Sequence, residues 1–174
     1  IQTVDPQATG LPTTHQVFSD LVVDAFVDGT ALAVGLALLW ISLVLRRPGS
    51  IVLAALPLLI GGAWMLAALW ILEVSFNFAN IIALPLVMGL AVDYGVWFAH
   101  QAHDHPRHTG WQVARIAGRP ILLAAGTTLA GLGAISLAAY QGVASMGLSL
   151  TVGLLACVLA ALVLAPAVTT LFRR

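Results

Sequence analysis

Residues 120–172 read PILLAAGTTLAGLGAISLAAYQGVASMGLSLTVGLLACVLAALVLAPAVTTLF, a run of 53 positions without one formal charge. Soluble domains carry charge at roughly a quarter of their residues, and this run leaves no charged face for water. Each crossing of a hydrocarbon layer needs about 20 apolar residues, so the run holds two spans, over 120–140 and 144–172. Pro120 suits the first turn of the former, where its missing N–H breaks no helical bond.

The same reading extends upstream. Residues 29–45 are apolar and stop at Arg46-Arg47-Pro48-Gly49, a charged pair followed by two helix punctuators. A second span covers 51–72, with Pro57 and Gly61-Gly62 as places for a bend or a close helix contact. Glu73, Ser75 and Asn77 mark a turn so short that a third span, 78–98, must pack antiparallel beside it. Residues 100–119, HQAHDHPRHTGWQVARIAGR, form the polar connection to the fourth span and read as a cytoplasmic loop. Residues 1–28 mix Pro6, Gly10 and Pro12 with Val17, Leu21, Val22 and Ala25 at helical spacing, and Thr14 is a candidate N-cap. They read as the end of a periplasmic domain and an amphipathic lead-in helix. The expected fold is an all-α membrane protein with a five-span bundle. A composition of 60% hydrophobic and 8% charged residues over 174 positions agrees. The start at Ile1, with no visible signal peptide, reads as a fragment of a longer protein.

Alternate threading puts Arg46, Arg47, Arg107, Arg115, Arg119, Arg173 and Arg174, all the arginines of a chain without lysine, on one side. The positive-inside rule makes that side cytoplasmic. The N-terminus is then periplasmic or external and the C-terminus cytoplasmic, in a bacterial inner membrane. The formal net charge of zero supplies no field for nucleic acid. Cys157 stands alone in an apolar run and reads as a packing residue, without a disulfide or zinc pattern. His100, His103, His105 and His108 lack metal-ligand spacing and read as a wet interfacial cluster. No nucleophile–base arrangement or phosphate loop is evident, so neither enzymatic activity nor a cofactor is expected.

Asp93 is the one acidic residue inside a span. It precedes His100 by seven residues, about 10 Å along a helix, which places it within hydrocarbon depth. A carboxylate there costs at least about 2.5–3.5 kcal/mol on an insertion scale. Two readings follow: a protonatable relay, or an acid held by packing hydrogen bonds. Adjacent helical residues diverge by about 100°, so Asp93 and Tyr94 are expected to pair with facing helices rather than with each other. Thr127 and Thr128 are the polar neighbours available, unless their hydroxyls bond back to the preceding turn. Gly89, Gly95, Gly126 and Gly131 are candidate close-contact positions between helices.

The segment FNFANIIALPLVMGLAVDYGVWFAH, 76–100, resembles the resistance-nodulation-division superfamily, especially its MmpL-like and hopanoid-transporter-like lipid exporters. Asn80, Leu84, Pro85, Leu86, Gly89, Asp93 and Tyr94 carry the resemblance, and the order of spans resembles the last five of a twelve-span transporter. The resemblance implies that Asp93 carries protons, that Tyr94 is its hydrogen-bonding partner, and that an N-terminal half of the same transporter supplies a facing Asp-Tyr pair. It implies proton-motive-force-driven export of a lipid or other hydrophobic molecule through contact with membrane lipids, and it is compatible with a homo-oligomer. Drug-efflux branches place a lysine near the relay and a threonine in the next span; Thr128 matches the latter, and the lysine is missing. The competing reading is a non-transporting accessory or sterol-sensing-like membrane domain.

Overall fold

The computed structural model describes residues 11–74 and 81–172, with side-chain surroundings over 21–74 and 81–171. Pro6, Gly10, Ser75, Asn77, Asn80, Arg173 and Arg174 therefore lie outside the described residues, as does the side chain of Thr14. The fold is an all-α bundle with five helices of membrane-spanning length and apolarity, and no strand occurs among the described residues.

Helix α1, Leu11–Val44, is continuous from the lead-in segment into the first span. The Arg46-Arg47 pair and Pro48 end it, and α2, Pro48–Ile71, begins with that proline in its first turn. Helix α2 runs on through Pro57, and its C-terminus closes in a Schellman-type turn. The Val74 N–H bonds to the Leu69 carbonyl, the Glu73 N–H bonds to the Trp70 carbonyl, and Glu73 takes a φ of 52°.

Helix α3, Ala83–Asp104, and α4, Gly110–Ile135, meet at a turn much shorter than the polar connection over 100–119 suggests. The polarity of that segment conceals a helical stripe. Val113, Ala117, Ile121 and Ala125 recur every four residues and are all buried. Helix α4 starts at a capping box, where the Gln112 N–H donates to the Thr109 hydroxyl while the Gln112 side chain accepts from the Thr109 N–H. Pro120 accordingly lies inside α4, not in its first turn.

The fifth span is built from α5, Gln141–Leu159, a π-helical turn, Ala160–Leu164, and α6, Ala165–Phe172. The widened turn ends two residues before Pro166, whose ring would otherwise press on the carbonyl of Leu162.

Two apolar clusters share α3. One joins it to α1, α2 and α5 through Ile41, Leu58, Met65, Val87, Ala91 and Leu150. The other joins it to α4, α5 and α6 through Tyr94, Phe98, Val113, Ile121, Leu154 and Ala165. Helix α3 is thus the central element, while α1 packs along it and leaves Leu32, Leu36, Leu39, Trp40 and Leu43 exposed. Small residues set the closest approaches. A Cβ at Gly61 would lie 2.7 Å from the Cα of Cys157, bringing α2 against α5, and one at Gly95 would strike the backbone of Ala54. Cys157 is buried at the first of these contacts.

Candidate functional site

The central position of α3 gives it four packed sides except along one stripe. Tyr94, Gly95, Phe98 and Ala99 face neighbouring helices, whereas Leu86, Gly89, Asp93, Trp97 and His100, spaced by three and four, face outward. Asp93 is exposed in the described bundle. It lines a cavity of about 380 Å³ between α1 and α3, with Trp40, Val44 and Leu45 on one wall and Val92, Val96, Trp97 and His100 on the other. The cavity is mainly apolar, and no described residue forms a hydrogen bond or ion pair with the carboxylate.

Tyr94 is only 6% exposed and belongs to the second apolar cluster. Its hydroxyl is hydrogen-bonded with Thr128 of α4, and the Asp93 carboxylate and the Cys157 thiol are both near enough to act on it electrostatically. Neither threonine hydroxyl hydrogen-bonds to Asp93. Thr127 and Thr128 both donate their hydroxyl protons to the Ala124 carbonyl, at 2.9 Å each, and Thr127 faces outward from α4. A threonine that bonds back one turn has satisfied its donor locally, and Thr128 retains an acceptor lone pair toward Tyr94.

The glycines divide in the same way. Gly95 lies against the Ala54 backbone, but a Cβ at Gly89, Gly126 or Gly131 would meet nothing within 4 Å. These three make no close helix contact among the described residues. Gly110, Gly147 and Gly153, which the sequence reading did not single out, do make tight approaches, to Pro166, to Ile135-Ser136, and to Met65 with Val87. Their signal was available only in pairs of facing helices.

The histidines sit at the Arg-bearing end. His100 and His103 lie 3.6 Å and 3.4 Å from the two Asp104 oxygens, and the rings of His105 and His108 meet edge to face at 5.2 Å. Among the described residues, no group of three or more His, Cys, Asp or Glu is placed to hold a metal ion.

Five membrane-length helices, the central one bearing an outward-facing acid, define a polytopic α-helical membrane protein. Comparison with known proteins narrows this class. The chain is 33% identical over 172 residues to the hopanoid transporter HpnN of Rhodopseudomonas palustris, covering 94% of this chain and 18% of that protein. It is 32% identical over 170 residues to HpnN of Burkholderia multivorans, covering 95% and 19%. A membrane protein of Methanocaldococcus jannaschii is 25% identical over 178 residues, covering 98% and 46%. The chain is homologous to these membrane proteins, and it spans about a fifth of the length of the two transporters and just under half of the archaeal one. No family model and no solved structure matches it.

Proposed function

We propose that this chain is the C-terminal membrane portion of a proton-motive-force-driven transporter of the resistance-nodulation-division type, exporting a lipid or other hydrophobic molecule, with Asp93 as its proton carrier. The observation that carries the reading is the Asp93 carboxylate, exposed on the central helix with no hydrogen-bond or ion-pair partner among the described residues. Protonated, the face it shares with Leu86, Gly89 and Trp97 suits an apolar neighbour; ionised, it calls for water or a polar one. Each protonation change thereby shifts the relative stability of two helix arrangements, as a coupling device requires. The hopanoid transporters extend far beyond the matched segment, and a facing half within such a chain would cover this stripe.

Tyr94 acts in this account as a positioning residue, holding α3 against α4 beside Thr128 with its hydroxyl within the electrostatic reach of Asp93, since its side chain packs in the second cluster and does not line the Asp93 cavity. The arginine distribution supports a bacterial inner-membrane location with a periplasmic N-terminus and a cytoplasmic C-terminus. The test is hydrophobic cargo export by the full-length protein in energised membranes. Export is expected to stop when a protonophore collapses the gradient at constant ATP; export that continues unchanged would overturn the proton-driven reading.

The archaeal relative, being far shorter than the hopanoid transporters relative to the matched segment, favours a second reading for the covering surface. There the face of Asp93 meets a second copy of the chain. Cross-linking of a cysteine placed at Gly89 to its counterpart in another copy distinguishes this from an intramolecular partner.

A further inference from the structure

At the Arg-bearing end of the bundle, two cavities adjoin beneath the α1–α2 turn. The smaller, about 250 Å³, is lined by Arg46, Arg47, Ser50, His100 and His103 together with Val44 and Leu45. The larger, about 570 Å³, is walled mainly by apolar groups, Pro48, Val52 and Leu53 of α2, Ala102 of α3 and Val168 of α6. Arg47, Ser50 and His103 belong to both and form the shared rim. The larger volume falls in the roughly 300–1,000 Å³ range of small-molecule sites.

The order of chemistry along the helices is informative. Arg46 and Arg47 sit at the end of α1, where the chain leaves the apolar layer, and neither guanidinium has an ion-pair partner among the described residues. Val52 and Leu53 lie about one turn further into α2. The Asp104 carboxylate is turned to His100 and His103 and lines neither cavity. An exposed pair of arginines over a mainly apolar recess between helices matches a molecule with an anionic head and a hydrocarbon tail, and basic pockets of this kind at helix ends hold anionic headgroups.

We infer that this recess is a binding site for one anionic glycerophospholipid of the membrane. Its phosphate is held by Arg46 and Arg47 at the rim, and an acyl chain lies along Val52, Leu53 and Val168. The site stands apart from Asp93, whose cavity opens between α1 and α3 deeper in the span and shares only Val44, Leu45 and His100 with the smaller recess. The inference does not depend on the transport reading.

The test uses the full-length protein purified in mild detergent, with lipid retention read by native mass spectrometry after addition of phosphatidylglycerol, phosphatidylcholine or inorganic phosphate. The wild type is expected to retain phosphatidylglycerol at least ten-fold more than phosphatidylcholine, with inorganic phosphate failing to displace it. The double variant Arg46→Gln/Arg47→Gln is expected to lose that preference. Arg119→Gln, which removes a charge of α4 outside both cavities, should keep it. Val168→Trp, filling the recess without changing charge, is expected to lower retention as well, and a thermal unfolding midpoint near that of the wild type shows that each variant is folded. Equal retention of the two lipids, undiminished retention by the double variant, or equal loss in Arg119→Gln would overturn the site. Displacement by inorganic phosphate would overturn its assignment to a lipid.

Discussion

Asp93 and Tyr94 are consecutive in the chain yet belong to different sides of α3. The tyrosine is packed among Phe98, Ile121 and Leu154, and the aspartate opens into a cavity with Trp40 and Trp97. This divergence follows from helix geometry, because successive side chains are about 100° apart. It separates two roles that a shared motif invites one to merge.

The packing role of Tyr94 predicts a sharp contrast between two substitutions. Tyr94→Phe keeps the ring and loses only the hydroxyl beside Thr128, so it should cost no more than about 1.5 kcal/mol. Tyr94→Ala empties a place in the second cluster and should cost about 3–5 kcal/mol. Denaturant unfolding of the purified protein checks the order, and equal losses would contradict it.

Gly95 is a position where a single methyl group should be felt. Its Cβ would overlap the Ala54 backbone, and Ala54 is itself fully buried, so α2 and α3 must separate to admit Gly95→Ala. The expected loss is about 1–3 kcal/mol. By contrast, Gly126→Ala and Gly131→Ala meet open space and should gain up to about 1 kcal/mol from helix propensity. Thermal unfolding midpoints in the same detergent would separate the two groups.

Glu73 closes α2 with a φ of 52°, a left-handed conformation that costs a residue with a side chain about 1–2 kcal/mol. Part of this is recovered by glycine, offset by its greater freedom in the unfolded chain. Glu73→Gly is therefore expected to stabilise the protein by about 0.5–1 kcal/mol, seen as a raised unfolding midpoint. A lowered midpoint would mean that the glutamate makes a contact that outweighs the strain.

Thr109 is the cap of α4, and removing its hydroxyl leaves the Gln112 N–H without its partner. Thr109→Ala should cost about 1 kcal/mol. Amide hydrogen exchange is expected to accelerate over the first turn of α4 while α3 keeps its protection.

Much of this fold was legible because lipid imposes a simple rule on sequence. An uncharged run such as 120–172 has few alternatives to spanning helices, and the Arg46-Arg47-Pro48 stop marks a helix end by charge and backbone chemistry together. The start of α4 was harder to see. Its first turns carry Gln112, Arg115 and Arg119 outside the apolar stripe of Val113 and Ala117, so average polarity masks the period. The Thr109-x-x-Gln112 spacing was the readable signal. At the candidate site, the chemical oddity of Asp93 stood out in one dimension. The orientation of Thr127 and Thr128 and the contacts of the glycines depend on which helices face each other, and neither composition nor spacing within one helix encodes that.

The central claim is that protonation of Asp93 drives the coupled step, and the most direct measurement compares gradient-dependent export by the full-length protein and its Asp93→Asn variant at equal membrane abundance. Asparagine keeps the size and polarity of the side chain and removes its titration. The account predicts that export falls to the level of the de-energised wild type while the unfolding midpoint is maintained or rises. Export by Asp93→Asn that still follows the proton gradient at the wild-type rate would contradict it.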